Sequence, residues 1–155
     1  MCILLVSACL IGVNCKYNGK NNLNKKVMKL CSEETLIPVC PEQLGGCPTP
    51  RVPSEIADGD GADVLDGKSR VMNKNGEDVT EYFIKGAQEV LKIAKTMGIK
   101  KAILKARSPS CGFGSIYDGT FSGKTKRGNG VTSEILVRNG VSVLTEEDIL
   151  TKEDI

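Results

Sequence analysis

Histidine is absent from the 155-residue chain, and so is tryptophan. Without histidine there can be no Ser-His-Asp or Cys-His nucleophile, no His-liganded zinc and no imidazole proton shuttle. Any chemistry must therefore use thiolates, carboxylates, hydroxyls, lysine or a cofactor. Three Tyr and three Phe offer little on which single-stranded nucleic acid could stack. No Cys-x-x-Cys pair occurs, which argues against a thiol redox motif and against the paired knuckles of a zinc ribbon. Neither Gly-x-Gly-x-x-Gly nor Gly-x-x-x-x-Gly-Lys-Ser/Thr occurs, so dinucleotide and NTP binding have no support. The apolar start, Met1 to Val6, is too short to span a membrane and lacks the basic region and cleavage site of a secretory signal. A cytoplasmic protein with no membrane partner is expected.

What is present fits one globular domain over residues 1–155, with 40% apolar and 26% charged residues. The net charge of +2 gives no dominant field. The basic runs Lys20 to Lys29 and Lys124 to Arg127 read first as solvated faces, with tRNA as a lesser possibility. Seven cysteines without a secretory signal point to buried, catalytic or metal-binding thiols rather than disulfides.

Cys2 to Val6, Leu36 to Val39 and Ala102 to Leu104 are short continuous apolar runs of the kind found in strands buried on both faces. Helices are predicted over Asn24 to Ser32, over Thr80 to Met97 with Thr80 as N-cap, and over Val131 to Asn139. A further strand is predicted over Val141 to Leu144, and a helical start at Thr145 to Leu150, with Glu146, Glu147 and Asp148 in its first turn. Pro41 to Pro53 reads as irregular loop, Arg70 to Asn73 as a short strand or hairpin, and the Gly-rich stretch from Cys111 to Gly130 as loop. Strands alternating with helices indicate an α/β fold with a mainly parallel sheet.

Ligand sites in such sheets lie beyond the carboxyl ends of the strands. Three of the runs are followed at once by cysteine-bearing loops: Ser7-Ala8-Cys9, Cys40-Pro41-Glu42 and Ser108-Pro109-Ser110-Cys111. Three converging thiolates with no histidine suit a soft metal or an iron–sulfur cluster. A four-iron cluster on three protein ligands keeps one iron open as a Lewis acid. Cys9, Cys40 and Cys111 are the expected ligands. Cys2 and Cys31 read as buried small hydrophobes. Cys15 and Cys47 each remain a fourth ligand, a sulfur acceptor or a bystander. Glu42 is the candidate for proton transfer, against an alternative as an exposed loop carboxylate. Ser108 and Ser110 could position a substrate, relay a proton or cap a turn. Lys105, Arg107 and Arg51 could bind a carboxylate, a phosphate or a polarised carbonyl.

At these positions the chain resembles a known family. The segments are Ser7-Ala8-Cys9-Leu10-Ile11-Gly12 with Lys16-Tyr17-Asn18-Gly19, Pro38-Val39-Cys40-Pro41-Glu42 through Pro48-Thr49-Pro50-Arg51, Ser108-Pro109-Ser110-Cys111-Gly112, and Tyr117-Asp118-Gly119-Thr120-Phe121. In kind and order they are similar to the thiouracil desulfurase family, formerly a domain of unknown function. Lys16 and Asn18 depart from it, standing where an Arg and an acid are expected. The resemblance implies a single Rossmann-like three-layer domain carrying a [4Fe-4S] cluster on Cys9, Cys40 and Cys111. It also implies Glu42 and a serine of Ser108-Pro109-Ser110 as catalytic groups; Ser108 is taken for that role, and Ser110 and Lys105 for binding substrate. The implied reaction is a non-redox desulfuration of a thiolated nucleobase or nucleoside, 2-thiouracil-like to uracil plus sulfide. The rival readings are a non-catalytic metal-binding protein and a sulfur-relay protein acting in tRNA thiolation or dethiolation.

Overall fold

The computed structural model describes residues 2–149. In chain order its first half comprises β1 (Ile3–Ser7), a 3-10 turn (Ala8–Ile11), α1 (Lys25–Leu30), β2 (Thr35–Val39), α2 (Pro41–Leu44), β3 (Ser54–Ile56) and α3 (Gly61–Leu65). The second half comprises β4 (Val71–Asn73), α4 (Thr80–Met97), β5 (Lys101–Leu104), β6 (Ser115–Tyr117), β7 (Thr125–Arg127), α5 (Val131–Arg138) and β8 (Ser142–Thr145). Four strands form one sheet in the order β2-β1-β5-β8, and every pairing is parallel. Two antiparallel ribbons, β3-β4 and β6-β7, stand apart from it.

The apolar runs are continuous because the sheet is covered on both faces. Side chains alternate across a strand, so Leu5, Ala102, Leu104 and Val143 pack with Val90 and Ala94 of α4 and Leu136 of α5. Leu4, Val6 and Ile103 pack the other way, with Val27 and Leu30 of α1. Leu4, Leu5 and Val6 are all completely buried, each worth about 1.5–3 kcal/mol in apolar transfer. The result is the expected α/β arrangement of helix, parallel sheet and helix. A third cluster, Ile56, Val64, Val71, Phe83, Ala87, Ile116 and Val131, joins both ribbons to α3, α4 and α5.

Several local expectations are corrected. Pro41 to Pro53 is not wholly irregular, because Pro41 opens the single turn α2 at a position where its missing N–H is harmless. Thr80 is the first residue of α4 rather than its cap; its hydroxyl accepts from Val71 N (2.9 Å) and donates to Asp78 Oδ1 (2.6 Å), tying the helix to β4. The Gly-rich stretch before Gly130 contains the β6-β7 ribbon. Ser54–Ile56 and Gly61–Leu65, unforeseen, form β3 and α3, the latter opened by an Asp60/Asp63 capping box. Up to Ile149 no helix follows β8; Asp148 instead accepts from Thr145 N (2.9 Å) and closes a turn. The last residue of that predicted helix, Leu150, lies outside the described residues. Cys2 and Cys31 are exposed, not buried, since Cys2 precedes β1 and Cys31 lies past the end of α1.

One contact fixes the helix that follows β2. A Cβ on Gly86 of α4 would lie 1.9 Å from Pro41 O, and one on Gly45 would lie 1.9 Å from Tyr82 O. Backbone therefore touches backbone, and α2 has one place to sit. Gly86→Ala should destabilise the protein by about 1–3 kcal/mol through overpacking, read as a lowered urea midpoint. Lys85→Ala, one residue away and exposed, should stay within about 0.5 kcal/mol.

Candidate active site

β2, β1 and β5 are neighbours in the sheet and run the same way. Their carboxyl ends therefore deliver three loops to one edge. Cys9 sits in the 3-10 turn directly after β1, Cys40 between β2 and α2, and Cys111 seven residues beyond β5. All three line a single cavity of about 460 Å³, together with Cys15, Glu42, Arg51, Lys105 and Ser108.

The Cys111 loop is held by its own backbone and by α5. Ser108 Oγ accepts from the N–H groups of Ser110 and Cys111, both at 3.1 Å. Gly112 N returns to Ser108 O at 2.8 Å, in a turn where a Cβ on Gly112 would come within 2.6 Å of that same oxygen. The first N–H groups of α5 then find acceptors in this loop: Val131 N on Pro109 O (2.9 Å) and Thr132 N on Ser110 O (2.9 Å). Ser133 Oγ donates to Cys111 O at 2.7 Å.

Glu42 points into the cavity from the first turn of α2. Its Oε2 lies 2.5 Å from the guanidinium of Arg51, with side-chain exposures of 16% and 10%. Arg51 also donates to Cys15 O (2.9 Å) and Thr49 Oγ1 (3.0 Å). Burial alone would lower the arginine's pKa, but the Glu42 carboxylate and the neighbouring Cys40 and Cys47 together outweigh it and raise it. The carboxylate that Arg51 binds is thus one of its own chain. Lys105 is tethered likewise, 3.4 Å from Glu146, whose Oε1 also accepts from Ala106 N at 2.5 Å.

The thiols share a polarised network. Cys15 lies against Cys40 and Cys9, which share its single S–H, and it is pushed far above the ordinary thiol range, first by the hydrogen bonding with Cys40 and then by that with Cys9. Cys9 is correspondingly lowered to about 7, the Cys15 bond being the largest cause and outweighing burial. Cys40 is lowered for the same first reason. Cys111 is 5% exposed and raised well above the usual range, first by burial and then by the Glu42 charge. Among the described residues no three His, Cys, Asp or Glu side chains close around one point as a single ion requires.

The structure brings Cys9, Cys40, Cys111, Glu42, Ser108 and Lys105 together at this cavity. Ser110 is the exception. It is 0% exposed, its hydroxyl is 2.9 Å from Thr132 Oγ1, and it lies off the lining, so it braces the loop rather than meeting a ligand. Cys47 also lies off the cavity, packed against the ribbon cluster. Arg107 turns to Glu147 at 2.5 Å. Glu55, Tyr117 and Phe121 line the cavity but were not singled out as site residues. The Tyr117-to-Phe121 motif was a usable signal for two of them, whereas nothing near Glu55 marks it.

Fold and lining together define an α/β protein with a thiol centre at the carboxyl edge of its sheet. The family model for 2-thiouracil desulfurase matches residues 4–148. The chain is 46% identical over 147 residues to the uncharacterized protein YbbK of Bacillus subtilis (strain 168), spanning 95% of this chain and 97% of that one. Among solved structures it superposes with a TM-score of 0.84 on the [4Fe-4S]-dependent thiouracil desulfidase TudS, at 36% identity, covering 96% of this chain and 93% of the other. The chain belongs to the 2-thiouracil desulfurase family. No helix among the described residues is long and apolar enough to cross a membrane.

In metal-free protein, alkylation of Cys9 should titrate with a midpoint of about 7, since the thiolate is the reactive form. Cys15→Ala should move that midpoint up towards 9, the ordinary thiol value. Peptide mass spectrometry across neutral pH reads both, and an unmoved midpoint in the variant would discount the Cys15 bond.

Proposed function

We propose that this enzyme replaces the thiocarbonyl sulfur of a small thiolated nucleobase or nucleoside by oxygen, using a [4Fe-4S] cluster held by Cys9, Cys40 and Cys111. Water supplies the oxygen and sulfide leaves. A thiocarbonyl plus water becomes a carbonyl plus hydrogen sulfide, with no net electron transfer. The observation that carries this reading is the convergence of three thiols from three adjacent strand ends on a cavity that also holds an arginine-bound carboxylate.

The donor set fits such a cluster. A single zinc ion with bonds of about 2.3 Å would draw its thiolates tightly together, and no such grouping occurs among the described residues. Thiols carried on three separate loops around a cavity suit a body with several metal atoms, each capped by one sulfur. When bound, the cluster would supply an open iron, a Lewis acid for the substrate sulfur.

The protein's own groups perform the rest. Arg51 occupies Glu42 Oε2. Oε1 has no hydrogen-bond partner among the described residues and, since no buried side-chain polar atom there lacks one, stays accessible in the cavity. That oxygen takes a proton from water as the water attacks the thiocarbonyl carbon. Ser108 Oγ accepts two backbone bonds, which leaves its own proton to donate to the ring or to the oxygen being installed. Lys105, held against Glu146, sets a fixed positive charge beside the developing negative one.

Anaerobically reconstituted protein should contain about four iron and four sulfide per chain and convert 2-thiouracil to uracil and sulfide. Ala at Cys9, Cys40 or Cys111 should lose the iron, whereas Cys47→Ala should keep both iron and turnover. Glu42→Gln should keep the iron and lose about 10²–10⁴-fold in kcat. An intact cluster that turns over no thiolated base or nucleoside would defeat the reading.

A further inference from the structure

The cavity lining has a second part that this chemistry does not use. It comes from β3 and the β6-β7 ribbon and includes Glu55, Tyr117 and Phe121. Glu55 is a carboxylate only 8% exposed, and no ion pair among the described residues reaches it. An unpaired carboxylate so deep must satisfy itself by hydrogen bonding.

Half of it does. Oε1 accepts from Gly119 N (2.9 Å) and Phe121 N (3.1 Å), gripping the tip of the ribbon across 64 and 66 residues of sequence. Within that tip Asp118 Oδ1 accepts from Thr120 N (2.9 Å) and Thr120 Oγ1 (2.5 Å). Gly119 lies so near β3 that a Cβ would meet Ile56 O at 2.6 Å. Phe121 is held at φ 56°, a left-handed conformation that a phenylalanine keeps only when its surroundings demand it. The second oxygen, Oε2, has no partner among the described residues, and no buried side-chain polar atom there is left unsatisfied, so it opens onto the cavity that Glu55 lines.

An accessible carboxylate oxygen beside an aromatic ring matches a flat heterocycle that carries a ring N–H. A thiocarbonyl base such as 2-thiouracil presents an N–H on each side of its C=S group. Building on the desulfidase reading, we infer that Glu55 and the ribbon tip it holds form the recognition half of the site. Glu55 Oε2 accepts a ring N–H beside the thiocarbonyl, and Phe121 covers the face of the ring. Glu55 is then the specificity-determining residue, and its Oε1 sets the position of Phe121.

Glu55→Gln separates these two roles, because the amide oxygen can still accept from Gly119 and Phe121 while the amide nitrogen opposes a ring N–H. With cluster-loaded protein, Glu55→Gln should leave iron content and the visible spectrum unchanged. It should raise KM for 2-thiouracil about tenfold, the weight of one hydrogen bond to a charged group, with little change in kcat. Calorimetry should show uracil binding weakened by a similar factor. Wild-type protein should prefer 2-thiouracil over its analogue methylated at both ring nitrogens, and Glu55→Gln should lose that preference. Phe121→Ala should raise KM, and Phe121→Tyr should restore it. Wild-type turnover with unaltered uracil affinity and unaltered discrimination in Glu55→Gln would overturn the inference alone. Wild-type protein that holds the cluster but neither binds uracil nor releases sulfide would overturn the desulfidase reading beneath it.

Discussion

The parallel alignment of β2, β1 and β5 is the constraint on which the rest of the molecule depends. Three adjacent strands pointing the same way end on the same line, so whatever follows them meets at one edge. The alignment is secured by burial of both sheet faces, which leaves no register in which Leu4, Leu5 and Val6 are all better covered. Cys9 and Cys40 follow their strands closely enough that little further arrangement is needed. Cys111, further along the chain, needs the Ser108 turn and the first N–H groups of α5 to bring it back.

Charge is handled pairwise around the cavity. Glu42 and Arg51 both line it and compensate each other, and Lys105 on the lining is compensated by Glu146 behind it. Partly buried pairs of this kind contribute little net stability. Their value is geometric: each fixes a side chain that would otherwise wander, and Arg51 adds three backbone and side-chain bonds that lock its own position. The single turn α2 is too short to hold Glu42 by itself. Its contact with Gly86 and the arginine do that together.

The parts of the fold legible in the sequence were those written in long or doubly buried patterns. The strand runs, α4 with its apolar stripe and its Gly98 terminus, and the order of the thiol-bearing loops could all be read directly. Hidden parts were carried by three-residue strands: in Ser115-Ile116-Tyr117 only Ile116 is buried, and one residue makes no period. The acidic cluster after β8 looked like a helix start because sequence shows charge but not partners. Glu146, Glu147 and Asp148 are each occupied elsewhere, by Ala106, Arg107 and Thr145. Ser110 and Cys47 carried suitable chemistry but face the wrong way. Glu55 was invisible because its importance lies in contacts more than sixty residues distant.

The ribbon that Glu55 grips has a different standing from the thiol edge. The cysteines hang on the central sheet and on a glycine contact that tolerates no extra atom, so that half is built like a chassis. β6 and β7 are two short strands paired to each other, joined to the body through a single bridge from Ile116 to Arg107, Ile116 in the third cluster and a handful of hydrogen bonds. On the proposed reading, exchanging residues 118–123 would change what the cavity admits without touching the loops that carry Cys9, Cys40 and Cys111. The fold thus keeps the part that faces the ring apart from the part that carries the thiols, as a visor is kept apart from the helmet behind it.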